Sequence, residues 1–174
     1  MNLADDDFRL FGLPPRQLLD RGDLDARRRD LQLRVHPDRF ASEGAAAQRL
    51  AMQWAVRVNE AYQRLKEPLS RAAYLCQLRG VPVDAERNTA MPAAFLMQQM
   101  EWREALEEAS TASAVQALDE RVAALEQGLQ DTLITHLDTA NDTTAAAAQV
   151  RALMFVARFR QDIDRRLDQL DKHR

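Results

Sequence analysis

The chain has 174 residues and a formal net charge of −3, which is enough for one compact domain or two small ones. It contains only 5 Gly and 6 Pro, and its many Ala, Leu, Glu, Gln and Arg residues favour helices over sheets. No apolar run is long enough to cross a bilayer, and the aspartates at positions 5–7 do not fit the basic start of a signal peptide. We therefore expect an all-α, cytoplasmic protein.

The first part of the chain predicts a helical hairpin with a short helix on either side. A helical turn over residues 8–15 is interrupted by Gly and Pro, and the first long helix is expected to begin with Asp23 as its N-cap. That helix should end at about His36, because the residue before a proline is driven out of the helical region. A second long helix is predicted over 45–65 and a short one over 69–78. The apolar residues expected to line the hairpin core are Leu24, Leu31, Val35, Leu50, Trp54, Val58, Ala61 and Leu65.

The second part predicts three helices, at about 92–109, 113–137 and 143–171. Apolar residues line one side of each of the last two helices, and over 113–137 they recur at alternating spacings of three and four, which is typical of helices packed side by side. They are Val115, Leu118, Val122, Leu125, Leu129, Thr132, Val150, Leu153, Ala157, Ile163, Leu167 and Leu170. We expect an antiparallel three-helix bundle over 92–174, joined by a polar linker at 79–91 to the helical hairpin of residues 1–78. Residues 1–78 hold 13 Lys and Arg against 11 Asp and Glu, and the remainder 11 against 16, which suggests different partners for the two parts.

The tripeptide His36-Pro37-Asp38 falls between the two long helices. Pro37 ends the helix and fixes one backbone torsion, so the flanking imidazole and carboxylate are displayed at the tip of the hairpin. Arg27 and Arg34 are seven residues apart and share one helix face, while Arg39 follows the tripeptide. The sequence therefore predicts a cationic surface around one exposed carboxylate. On its own the tripeptide could also be an ordinary turn that ends a helix.

The helix predicted over 92–109 has two different faces when its residues are placed 100° apart. Phe95, Trp102 and Leu106 fall together on a core face. Two methionines, a leucine and three carboxylates lie away from it, and these are Leu96, Met97, Met100, Glu101, Glu104 and Glu108. Exposed apolar side chains rimmed by charge usually mark a binding site, and methionine suits an adaptable one. Periodicity alone leaves open that a neighbouring helix covers these residues.

Residues 1–78 resemble the J-domain family, in which His-Pro-Asp lies between two hairpin helices and contacts the ATPase of a DnaK-type chaperone. The second of these helices carries VNEAYQRL at residues 58–65. By position, the resemblance implies that Asp38 engages an arginine of the chaperone, with His36 and Pro37 beside it. Arg27, Arg34 and Arg39 would then face an acidic patch of the chaperone and make association sensitive to salt.

The whole chain is similar to the HscB family of iron–sulfur cluster co-chaperones. The resemblance rests on FGLP at residues 11–14, LKEPLSRAAYL at 65–75 and FLMQQMEWREAL at 95–106. It implies that the protein stimulates the ATPase of a DnaK/HscA-type chaperone and delivers an IscU-type iron–sulfur scaffold protein to it. The scaffold-binding positions would be Leu96, Met97, Met100, Glu101, Glu104 and Glu108, joined by Phe155 of the last helix. Relatives often have leucine where this chain has Met100 and Trp102.

We find no sequence pattern for a catalytic site, a metal or a cofactor, and expect no enzyme activity. The three histidines lack ligand spacing, Cys76 is expected to be a buried apolar side chain, and no phosphate-binding or hydrolase motif is present. The sequence has no basic stripe of the kind that binds nucleic acid, so we expect no nucleic-acid partner. We also expect no membrane partner. Two alternatives stay open. A general J protein would bind many unfolded clients, and a purely structural helical adaptor would make His-Pro-Asp accidental.

Overall fold

A computed structural model describes residues 2–40, 42–84 and 93–172. These residues form seven α-helices and no strand, which confirms the all-α prediction. The helices are α1 (Asp7–Phe11), α2 (Arg21–Val35), α3 (Ala45–Lys66), α4 (Pro68–Leu78), α5 (Ala93–Glu108), α6 (Ala112–Ile134) and α7 (Thr143–Lys172). The chain divides into two compact units, Met1–Leu75 and Cys76–Arg174, and the division falls inside α4. No helix in the described ranges is both long and apolar enough to traverse a bilayer.

The N-terminal unit is built on the α2–α3 hairpin, with α1 packed against both helices. Leu24, Val58 and Leu65 are buried in its core, as the apolar spacing predicted. The carboxylate of Asp7 is buried between two arginines of α3. Its Oδ2 accepts a hydrogen bond from Arg64 Nη1 at 2.8 Å, and Arg57 Nη1 lies 2.7 Å from Oδ1 as an ion pair without hydrogen-bond alignment. This arrangement fixes α1 on α3.

Two expectations for this unit were wrong. The N-cap of α2 is Asp20 rather than Asp23, because the Asp20 carboxylate accepts the backbone N–H of Asp23 at 2.6 Å. The helix therefore begins at Arg21 and Asp23 lies in its first turn, which is also a favourable place for an acidic side chain. Leu50, expected in the core, is 49% exposed. It lines a groove of about 330 Å³ beside Phe40 and Trp54 at the start of α3.

The C-terminal unit contains the predicted antiparallel three-helix bundle. Its core includes Trp102, Val122 and Phe159, and the rings of Trp102 and Phe159 stack with centroids 5.5 Å apart. A guanidinium N–H of Arg166, near the end of α7, donates to the carbonyl of Ala109 just beyond α5 at 2.9 Å. These contacts join the middle of α5 to the middle of α7, and the end of α5 to a later part of α7. Helices α5 and α7 therefore run parallel, and α6 runs antiparallel to both.

The end of α6 differs from the sequence prediction. The α-helix stops at Ile134 and continues as a π-helical turn over Thr135–Ala140, which Asn141 ends with a positive φ of 52°. Leu133 and Leu137 are buried there, whereas Thr132, predicted in the apolar stripe, is exposed and donates its hydroxyl to the Gly128 carbonyl. A straight helix drifts from a strict seven-residue repeat, and that drift moves the buried position by one residue.

The predicted linker over 79–91 is described only as far as residue 84. Helix α4 ends in a left-handed glycine, Gly80, whose N–H donates to the Gln77 carbonyl. The N–H of Val81 donates to the Cys76 carbonyl, which completes a double hydrogen-bonded helix end. Residues 79–84 then belong to the C-terminal unit, where Val83 is buried. Residues 79–84 are therefore part of the C-terminal unit and not an unattached linker.

Candidate functional site

The tip of the hairpin presents the predicted tripeptide in the expected way. His36 ends α2 in an extended conformation, and residues 37–40 form a 3₁₀ turn. The side chain of Asp38 is 90% exposed, and its Oδ2 lies 3.6 Å from His36 Nδ1. The backbone N–H of Asp38 donates to the same Nδ1 at 3.3 Å, which favours the imidazole tautomer with its proton on Nε2. The turn thus holds an exposed carboxylate beside an exposed imidazole.

The three predicted arginines differ in the contacts that they make within the protein. Arg34 is exposed and lies 3.8 Å from Asp30, while Arg39 is also exposed and donates to the carbonyl of Leu33 at 3.1 Å. Arg27 is engaged within its own unit. It pairs with Asp23 at 2.9 Å and donates to the backbone carbonyls that end α1. Of the three, Arg34 and Arg39 are therefore the better placed for a partner.

A polar cluster away from the tip holds α2 against α3. The hydroxyl of Tyr62 donates to Asp25 Oδ1 at 2.8 Å, and this hydrogen bond lowers the pKa of the Asp25 carboxyl. Arg21 donates to the same carboxylate, and the Arg28 guanidinium stacks over the Tyr62 ring at 4.0 Å. Because these contacts join both helices of the hairpin, they position the tip that the helices carry.

A groove of about 600 Å³ runs along the hairpin behind the tip, and the sequence prediction missed it. It contains His36 and Pro37 together with exposed Arg29 and Leu33 of α2 and Ala55 of α3. Arg29 makes no ion pair with the described residues. Leu33 lies off the buried stripe of α2, so an apolar residue out of phase with the core was the available signal. The groove therefore adds the positive charge of Arg29 and the apolar side chains of Leu33 and Ala55 to the surface of the tip.

The second predicted site lies on α5. Leu96, Met97 and Met100 are 45%, 65% and 64% exposed, and they are the large exposed apolar side chains among residues 95–172. Glu101, Glu104 and Glu108 are exposed on the same side of the helix. We call these six residues the acidic–methionine face. Gln98 donates to Glu101 at 2.9 Å, and the other two carboxylates have no ion pair within the described chain. None of the described helices covers the face, which answers the alternative left open by periodicity.

Phe155 of α7, the remaining predicted site residue, contacts residues of α5 that adjoin this face in sequence. Its ring packs edge-on against Phe95 with centroids 5.9 Å apart, and Phe95 directly precedes Leu96. The other neighbours are Phe159, stacked at 6.3 Å, and the Arg103 guanidinium, 5.6 Å from the ring centroid. Phe155 is only half-buried, so one edge of an ordered aromatic ring reaches the surface next to α5.

Comparison with known proteins gives the family. The protein-family model described as the HSCB C-terminal oligomerisation domain matches residues 91–164 of the chain. Over 174 residues the chain is 49% identical to the co-chaperone protein HscB homolog of Burkholderia multivorans, covering 98% of this chain and 99% of the relative. The HscB homolog of Cupriavidus taiwanensis is 50% identical over 171 residues, 97% of each chain. The chain belongs to the HscB co-chaperone family.

Solved HscB structures share the fold. The chaperone HscB from Vibrio cholerae matches with a TM-score of 0.87 at 40% identity, over 95% of this chain and 99% of that one. The human co-chaperone HscB matches with a TM-score of 0.86 at 26% identity, over 94% of this chain and 83% of that one. The HscB resemblance predicted from the sequence is thus confirmed, and with it a co-chaperone associated with iron–sulfur cluster assembly. Within the described part of the chain, no group of three or more His, Cys, Asp or Glu side chains could hold a metal ion.

Proposed function

We propose that this protein stimulates the ATPase of a DnaK/HscA-type chaperone and delivers an IscU-type iron–sulfur scaffold protein to it. The hairpin tip would engage the chaperone, and the acidic–methionine face would hold the scaffold. The protein would act by binding rather than as an enzyme, in the cytoplasm. Family membership supports the co-chaperone role, and the two partners remain proposals.

The observation that best supports stimulation of the chaperone is the geometry of Asp38. A carboxylate that is 90% exposed at a rigid turn can accept two parallel N–H bonds from a guanidinium. The 3₁₀ turn already restricts its backbone, so little conformational entropy is lost on binding. Arg34 and Arg39 nearby would attract acidic groups on the chaperone and speed association.

The scaffold half rests on an exposed apolar surface within an acidic unit. Met97 and Met100 expose almost two-thirds of their surfaces, and a partner that covers them gains the free energy of removing this area from water. The three glutamates at its edge favour a partner with basic residues around an apolar patch. Phe155 adds a ring edge that is already ordered in the free protein.

The chaperone half is tested by single-turnover ATP hydrolysis of the chaperone with increasing amounts of this protein. Asp38→Asn keeps the shape of the side chain but removes its charge, which should cost about 1.5–3 kcal/mol, or roughly 10- to 150-fold in half-saturating concentration. At a concentration near the wild-type midpoint, Asp38→Asn and His36→Gln should both lose most of the stimulation. Glu43→Gln removes an exposed carboxylate just beyond the tip and serves as the matched control. Full stimulation by folded Asp38→Asn and His36→Gln would favour a structural adaptor.

A further inference from the structure

The segment that follows α4 is fastened to the bundle by two arginines. We call residues 79–84 the strap. Arg79, its first residue, donates to the carbonyl of Leu137 in the π-helical turn at 2.7 Å. Arg151 of α7 donates to the carbonyl of Val83, near its other end, at 3.1 Å. The side chain of Val83 is also buried. The strap is thus attached at both of its ends to residues of the C-terminal unit.

Arg151 is an unusual residue for the interior of this unit. It is only 8% exposed, and it has no carboxylate partner in the described chain. Its Nε is buried without an acceptor, and its hydrogen bond goes to the strap carbonyl. Burying a guanidinium without a counter-charge is costly, and an unsatisfied buried group calls for a specific explanation. The hydrogen bond that this side chain donates goes to the Val83 carbonyl.

The position of the strap gives this contact a consequence. Helix α4 begins in the N-terminal unit and ends in the C-terminal unit, and the strap continues directly from it. When the connection between two binding units is held in place, the partners that they bind have a high effective concentration relative to each other. A loose connection lowers that effective concentration. The proposed function requires such coupling, because one molecule must hold the scaffold while it engages the chaperone.

We propose that Arg151 and Arg79 are positioning residues that clamp the strap, and that the clamp couples scaffold binding to stimulation of the chaperone. The proposal rests on the proposed function, since coupling needs both partners. The clamp acts on neither binding surface directly. It should therefore affect the joint activity while leaving each separate interaction intact.

The test uses the full chain with Arg151→Gln, Arg151→Lys and Arg79→Gln, and Arg158→Gln as control. Arg158 is an exposed arginine on the same helix, so it matches the charge change without touching the strap. Amide hydrogen exchange of residues 79–84 reports the clamp. Scaffold affinity, chaperone stimulation without scaffold, and stimulation with saturating scaffold are measured separately. The coupling is the ratio of the last two.

For Arg151→Gln we expect exchange in the strap to rise and the coupling to fall by about tenfold or more. Scaffold affinity and scaffold-free stimulation should stay within about twofold, and Arg151→Lys should recover part of the coupling, because its ammonium can still donate to a carbonyl. If Arg151→Gln fails to fold, Arg79→Gln at the less buried end provides the same test. Unchanged exchange in both glutamine variants overturns the clamp.

Raised exchange with undiminished coupling overturns the positioning role and leaves Arg151 a structural residue. Failure of the proposed function would look different, since the wild-type protein would not bind the scaffold or would not stimulate the chaperone. The exchange measurement still decides the clamp in that case, because it needs neither partner.

Discussion

Substitution of the two exposed methionines of α5 gives the most direct test of the acidic–methionine face. Met97 and Met100 are 65% and 64% exposed, so about two-thirds of each side chain is available to a partner. Full burial of a methionine is worth about 1.5–3 kcal/mol, and two-thirds of that is about 1–2 kcal/mol per residue. Met97→Ser with Met100→Ser should therefore weaken scaffold binding by about 2–4 kcal/mol, or roughly 30- to 700-fold in Kd.

Calorimetric titration with an IscU-type scaffold protein measures this loss. Serine is a somewhat poorer helix former than methionine, but α5 is anchored through buried Trp102, so circular dichroism should show a folded bundle. Met52→Ser is the matched control, because Met52 is 59% exposed on α3 of the other unit. The double variant should also keep scaffold-free stimulation of the chaperone. A change in Kd below about threefold in the folded double variant would refute the assignment of this face.

Three further predictions concern stability. Asp7→Asn removes a buried charge held between two arginines of α3 and should lower the free energy of unfolding by about 2 kcal/mol, measured by urea denaturation. Thr111→Ala removes the N-cap of α6 and should cost about 1 kcal/mol in thermal unfolding, whereas Thr111→Ser should not. Burial raises the pKa of the Cys76 thiol. The unfolded thiol therefore ionises first, and the free energy of unfolding should fall as the pH rises above about 8.5, a dependence absent from Cys76→Ala.

Helix existence and the buried stripes could be read from the sequence because apolar spacing and proline act locally. Pro37 ends α2 whatever packs around it, and the 100° rotation per residue separates Trp102 from Met100 without any tertiary information. This phase placed the acidic–methionine face away from the core face of α5, and the structure shows that the face is exposed. The proposed binding residues on α5 could therefore be grouped on one side of the helix from the sequence, while the proposed scaffold partner comes only from resemblance.

Features that depend on contacts between distant residues were not accessible. Asp20 and Asp23 are both good N-caps by type, and only the folded chain selects the first. Leu50 follows the stripe of α3 but lies beyond the end of the core near the hairpin tip, where no helix covers it. Arg27 looked like a free surface cation, yet it holds carbonyls that end α1, fifteen and sixteen residues earlier. The hydrogen bond between Arg151 and Val83 spans 68 residues and leaves no local signal.

The exposed thioethers of Met97 and Met100 also make the acidic–methionine face sensitive to oxidants. Peroxide converts methionine to the sulfoxide, which is polar and chiral, so oxidation would introduce at this surface the same loss of apolar contact as serine does. Leucine at these positions would fill the space without this reactivity. Unlike the serine substitutions, sulfoxide formation is reversible by reductases. A chain that carries methionine here therefore couples its apolar contact to the redox state of its surroundings.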